Sequence, residues 1–198
     1  MKKIINRFII ILLLTFPSVD YLMANENVLS IGSGNSKVVV RVFSSLTCPH
    51  CANFHNKIFE SLKKEYIDTK KVKFEHHSFP LDVAALNAEK ILQCNEGFQT
   101  NFKFLTEIYK RQNVWAAESD INIINNSIKA IGKEFTLTES AMDKCLVDKI
   151  LEEKILNKRI EAQKNYKVSS TPTIYINEKK YEGKKNYKSF KKVIDKLL

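Results

Sequence analysis

Apolar residues run through Val38-Val39-Val40-Arg41-Val42-Phe43 in the pattern of a half-buried strand. The period then changes. Cys51, Phe54, Ile58, Leu62 and Tyr66 recur at spacings of three and four, which predicts a helix from Pro49 to about Asp68 with one buried face. Short strands are predicted at Asn27 to Ile31, before a Gly32-Ser33-Gly34-Asn35 turn, and at Val72 to Phe79, ended by Pro80. From Leu81 the chain reads as helices, with stripes at Ala85/Ala88/Ile91/Leu92, Phe98/Phe102/Leu105/Tyr109, Ile121/Ile124/Ile128/Ile131 and Leu137/Ala141/Cys145/Leu146. Gly132 ends the third stripe, and Thr138 is the N-cap expected for the helix that follows it. A charged helix from about Lys149 to Lys167 leads to an alternating strand, Thr173-Ile174-Tyr175-Ile176. A hairpin turn at Asn177 to Lys180 and an amphipathic helix carrying Phe190, Val193, Ile194 and Leu197 complete the pattern. The expected architecture is a mixed α/β sheet, residues 25–80 and 147–198, interrupted by a helical insertion over 81–146: one domain with an insert.

The N-terminus carries a separate signal. Met1-Lys2-Lys3-Ile4-Ile5-Asn6-Arg7 is basic, Phe8 to Phe16 is apolar, Pro17 breaks the run, and Ala24 offers a cleavage point. A nine-residue run is too short to span a bilayer, so residues 1–24 read as a secretory signal peptide, with an uncleaved anchor as the alternative. Export to the periplasm is the expectation, and in an exported protein cysteines are expected to pair. Removing Lys2, Lys3, Arg7 and Asp20 with the leader takes the formal charge from +10 to +8. The positive residues are mostly scattered lysines without an arginine-aromatic cluster. That composition argues for a solvated basic surface and against nucleic-acid binding.

Cys48-Pro49-His50-Cys51 carries the chemistry. Pro49 falls on the first helical turn, where its missing N–H costs nothing, so Cys48 sits at the helix mouth and Cys51 begins the buried stripe. A thiolate at Cys48 is favoured there by the helix dipole and the free N–H groups, and Cys48 is expected to face solvent. An activated cysteine with a partner one turn behind is suited to thiol–disulfide exchange. A zinc knuckle needs four ligands; Cys94 and Cys145 are far apart in sequence, and adjacent His76 and His77 would point to opposite faces of a strand. No resident metal or cofactor is expected. Cys94 and Cys145 themselves, in an exported chain with an even cysteine count, are expected to form a structural disulfide; two buried thiols or a second redox centre are the alternatives. His55, His76 and His77 read as surface or packing residues.

The run Ser44-Ser45-Leu46-Thr47-Cys48-Pro49-His50-Cys51, the helical insert, and Ser169-Ser170-Thr171-Pro172-Thr173 ahead of the last strands resemble the DsbA family of exported thiol:disulfide oxidoreductases. The resemblance covers nearly all of the chain after the leader and implies a thioredoxin-like fold with an inserted helical domain. It implies Cys48 as the attacking cysteine, Cys51 as the resolving one, and His50 as the histidine that stabilises the Cys48 thiolate. Thr171-Pro172 then matches a substrate-binding loop whose proline is cis. Many relatives carry a buried acid six positions before the attacking cysteine. This chain has Val42 there, with Arg41 beside it, which puts a proton relay from that position in doubt.

The resulting expectation is a dithiol oxidase that introduces disulfides into reduced exported proteins, regenerated by a quinone-linked membrane oxidase and acting as a monomer. A disulfide reductase or isomerase is the nearest rival. A Cu(I) carrier using Cys48, Cys51 and His50 is a third reading, in which the Thr171-Pro172 loop would have no purpose.

Overall fold

The computed structural model describes residues 28–94 and 98–198, so the leader expected at residues 1–24 lies outside the described residues. Five strands, β1 (Leu29–Ile31), β2 (Val38–Ser44), β3 (Val72–Ser78), β4 (Thr173–Ile176) and β5 (Lys179–Lys180), form one sheet in the order β1-β3-β2-β4-β5. β2 is central. It runs parallel to β3, with Val42 opposite His76, and antiparallel to β4, with Val42 opposite Ile174. Such a strand is covered on both faces, which is why its sequence is apolar at nearly every position. Val38, Val40 and Val42 enter the main core, while Phe43 packs with Phe79, Ala162 and Val168 on the other side.

The helix after β2, α1, runs from Pro49 to Ile67 and is not uniform. Turns of α-helix at Pro49–Phe54 and Glu60–Leu62 alternate with π-helical turns at His55–Phe59 and Lys63–Ile67. The sequence pattern contains the reason. A four-residue spacing drifts by about 40° per step around a regular α-helix, so Phe54, Ile58, Leu62 and Tyr66 would slide off a single face. Wider π turns absorb the drift, and all four side chains remain buried.

Between β3 and β4 stand α2 (Val83–Gln93), α3 (Phe98–Lys110), α4 (Gln112–Trp115), α5 (Ile121–Lys133), α6 (Glu139–Val147) and α7 (Lys149–Tyr166); α8 (Tyr187–Leu197) follows β5. Their starts follow local chemistry. Asp82 and Thr138 accept from Ala85 N–H and Ala141 N–H, and Asp148 accepts from Ile150 and Leu151. α7 ends at Lys167 in a left-handed conformation (φ 51°), which turns the chain toward Thr171. Cys94 and Cys145 are joined in a disulfide with their Cα atoms 5.9 Å apart. Beside it Lys90, 1% exposed, reaches the Leu146 carbonyl and Glu152, so two cross-links fasten α2 to the α6–α7 junction.

Gly32 closes β1 at φ 111°, and a Cβ there would stand 2.5 Å from the Val72 carbonyl oxygen and 3.0 Å from the Lys73 Cα. Both backbone conformation and space exclude a side chain. Gly32→Ala should cost roughly 2–3 kcal/mol and lower the thermal midpoint by several degrees. Gly34→Ala, with nothing within 4 Å of the new methyl, provides the control in the same melting experiment.

Candidate active site

Cys48 occupies the N-cap of α1 in extended backbone (φ −76°, ψ 119°), with Pro49 directly inside the helix. Its carbonyl accepts from the N–H groups of Cys51 and Ala52, so the first turn closes around the dithiol. One expectation is corrected here. Cys48 does not face solvent: it is 8% exposed, because the loop ahead of β4 folds over it and its thiol reaches the Thr171 carbonyl at 3.5 Å. Pro49 and His50, by contrast, are exposed. Cys51 is buried at 1% exposure.

The two thiols differ sharply in acidity. A hydrogen bond from the Cys51 thiol is the largest influence on Cys48; burial opposes ionisation, and the Thr171 hydroxyl and the backbone N–H groups of Cys51 and His50 favour it, leaving a pKa of about 5. Burial drives Cys51 far upward, and its hydrogen bond to Cys48 adds to that. One sulfur is therefore a thiolate at neutral pH and the other a thiol that donates to it. His50 contributes to Cys48 through its backbone N–H.

The Thr171-Pro172 peptide bond is cis. Thr171 sets its carbonyl against the Cys48 sulfur, while its buried hydroxyl makes no well-formed hydrogen bond among the described residues. Lys185 donates to the Pro172 carbonyl at 3.2 Å, anchoring the other side of the loop.

Several residues around the dithiol were not singled out in the sequence. Gln112 donates its amide to the carbonyls of Leu46, at 2.6 Å, and Cys48, at 3.1 Å, pinning the loop before α1 to the start of α4. A signal for it exists: Gln112 continues the Phe102, Leu105, Tyr109 stripe as a polar residue on an apolar face. Glu89, fully buried, accepts from Ser78 at 2.6 Å and pairs with His76 at 2.8 Å. Since His76 lies opposite Val42, this carboxylate occupies the face of the sheet on which position 42 has none. Arg41 points to the other face, where it binds Glu75 and Glu178. His77 also lies on that face, against Phe43 and Glu75, while His55 is stacked on Phe59.

Residues 24–196 match the family model described as thioredoxin. The chain belongs to the thioredoxin family. Within it, the relatives are proteins of disulfide chemistry. The putative protein-disulfide oxidoreductase of Rickettsia bellii is 30% identical over 176 residues, covering 88% of this chain and 66% of the relative. The probable disulfide bond formation protein D of Bacillus anthracis is 30% identical over 179 residues, covering 85% and 77%. Among solved structures, Wolbachia pipientis alpha-DsbA1 superimposes with a TM-score of 0.80 at 29% identity, over 89% of this chain and 93% of that one. This thioredoxin-fold chain thus has DsbA proteins among its structural neighbours, and it spans about two-thirds or less of the rickettsial relatives' length.

Proposed function

We propose that this protein is an exported dithiol oxidase that introduces disulfide bonds into reduced exported proteins. The observation that carries the reading is the split between a Cys48 thiolate with a pKa of about 5 and a buried Cys51 thiol beside it. A thiolate that stable is a good leaving group, and its stabilisation favours the reduced enzyme, which makes the Cys48–Cys51 disulfide a strong oxidant. A substrate thiolate attacks the Cys48 sulfur, the Cys48–Cys51 bond opens, and a mixed disulfide forms beside Thr171-Pro172. A second substrate thiol then resolves it, leaving an oxidised substrate and the reduced pair.

In this reading Cys48, Cys51 and His50 are catalytic, Thr171 and Pro172 bind substrate, and Cys94–Cys145 is structural. Residues 81–146 form an inserted helical unit within a thioredoxin-like domain made of 25–80 and 147–198. Regeneration falls to a quinone-linked membrane oxidase, the protein works as a monomer in the periplasm, and residues 1–24 are removed on export. The names carried by the rickettsial and Bacillus relatives support the chemistry.

Incubating the oxidised protein with a reduced two-cysteine peptide tests it. Stoichiometric peptide disulfide and reduced Cys48/Cys51 are expected, with no reaction by Cys48→Ser. An inert peptide, together with activity on scrambled ribonuclease or insulin, would transfer the assignment to an isomerase or reductase.

A further inference from the structure

The chain from Lys179 to Leu198, which forms β5 and α8, carries eight lysines against two acids, Glu182 and Asp195. Both acids are already engaged: Glu182 pairs with Lys180, and Asp195 accepts from the Tyr66 hydroxyl and faces Lys191. Lys191 in turn holds Glu65 on α1. Lys184, Lys185 and Lys188 remain exposed, with no carboxylate partner among the described residues. The fold itself gains nothing from this clustering. The three lysines gather at the end of α8 where cations are disfavoured, and its first turn holds no acid to offset them. A contact fixes where they stand relative to the dithiol. The Lys185 ammonium lies 3.2 Å from the Pro172 carbonyl, and the neighbouring Thr171 carbonyl lies 3.5 Å from the Cys48 sulfur. On the Thr47 side of Cys48, the carboxylate of Asp82 is committed to the Thr47 hydroxyl and the Ala85 N–H.

We infer that Lys184, Lys185 and Lys188 form an anion-recognising shoulder on the substrate loop, so that the preferred client carries aspartate or glutamate beside its reactive cysteine; this rests on the oxidase reading above. A client segment lying along Thr171-Pro172 brings the side chains next to its cysteine past the Lys185 ammonium. An ammonium has three N–H donors and Lys185 places one on Pro172, which leaves donors for a carboxylate. An acidic side chain there meets unpaired lysines, whereas a basic one meets like charge. Attraction and repulsion therefore act in the same direction on the choice of client. An anionic membrane surface fits less well, because the charge sits against the loop that has to stay open to the client.

Two single-cysteine peptides that differ only in the residues flanking the cysteine, glutamates in one and lysines in the other, test the inference. Each is mixed with oxidised protein and the mixed disulfide is trapped by acid. Its rate is divided by the same peptide's rate with hydroxyethyl disulfide, a neutral reagent, which cancels differences in thiol acidity. The parent is expected to favour the glutamate peptide by roughly tenfold or more at low ionic strength, the scale of one or two exposed ion contacts. In about 0.5 M salt the preference should shrink below about threefold. Lys184→Gln/Lys185→Gln/Lys188→Gln should bring the low-salt ratio below about threefold as well, whereas Lys184→Arg/Lys185→Arg/Lys188→Arg, which keeps the charge, should retain it. Because the readout is a ratio on one dithiol, a general change in reactivity cancels. Lys71→Gln/Lys103→Gln/Lys144→Gln removes the same charge at the entry to β3, on α3 and beside Cys145, and should leave the preference in place. Loss in that control would credit net charge and overturn the inference, and loss in the arginine variant would reduce the lysines to shaping the loop. Parental binding to phosphatidylglycerol vesicles that the glutamine variant loses, with its peptide ratio unchanged, would reassign the lysines to a membrane surface. An oxidised parent that forms a mixed disulfide with neither peptide defeats the oxidase reading and this inference together. A parent that reacts equally with both defeats this inference alone.

Discussion

Thiolate absorbance of the reduced protein should rise with a midpoint near pH 5, so that at pH 7 thiolate outnumbers thiol at Cys48 by roughly 100 to 1. Because the largest contribution comes from the Cys51 thiol, Cys51→Ala should move the midpoint upward, even though it leaves Pro49, the helix mouth and Thr171 untouched. The same shift links redox state to stability. The folded pKa lies below the unfolded one, so the stabilisation is complete above about pH 9 and is lost as pH falls through about 5. Between those limits the slope is about 1.4 kcal/mol per pH unit, giving roughly 2–3 kcal/mol at pH 7. Oxidised protein has no thiol to titrate. The thermal midpoint of the reduced form should therefore gain on that of the oxidised form between pH 5.5 and 8.5. A gap that is flat with pH, or a titration midpoint near that of free cysteine, would remove the basis of the oxidant.

Replacing both Cys94 and Cys145 with alanine should cost about 4 kcal/mol, the loop-closure value for a bridge with a sequence separation of 51. For a chain of this size the loss corresponds to a fall of roughly 8–16 °C in the thermal midpoint. Cys94 and Cys145 link α2 to α6, whereas the Cys48 thiolate is set by Cys51, Thr171 and backbone N–H groups. Peptide oxidation by the folded variant should accordingly stay within about threefold of the parent. Calorimetry and the peptide assay on one preparation separate the two effects. A large loss of turnover with an unchanged midpoint would make this bridge a redox centre. Lys90→Met beside the bridge removes the second tie between the same elements, and its cost should add to that of the cysteine variant less than fully.

Period and caps made most of the fold legible. The strand at Thr173–Ile176, the Thr138 cap and the Ile121–Lys133 helix follow from residues that can satisfy their backbone and bury their stripe in only one way. The dithiol helix is legible as a helix but not as a chain of α and π turns, because a spacing of four residues also fits ordinary helical periodicity. Polar residues within apolar stripes were the main blind spot. Glu89 lies four residues after Ala85 and three before Leu92, squarely on the buried face, and Gln112 extends the stripe of Tyr109. Single-sequence reading treats such residues as interruptions. What they bond to, His76 on a strand and two carbonyls in a loop 64 and 66 residues away, is a tertiary fact with no local signature. The cover over Cys48 escaped for the same reason: Thr171 is 123 residues distant.

Gln112 also bears on how such a protein can be recombined. A thioredoxin core with helices between two of its strands invites transplantation, cutting out one helical segment and grafting another. Here the graft would carry away the amide that holds the Leu46 and Cys48 carbonyls, and with it the shape of the turn that carries the Cys48 sulfur. A donor segment lacking a glutamine, or a group of equal reach, at that register would deliver an intact surface onto a slackened Cys48 turn. Exchange across this boundary is thus a matter of matching one side chain before matching any surface.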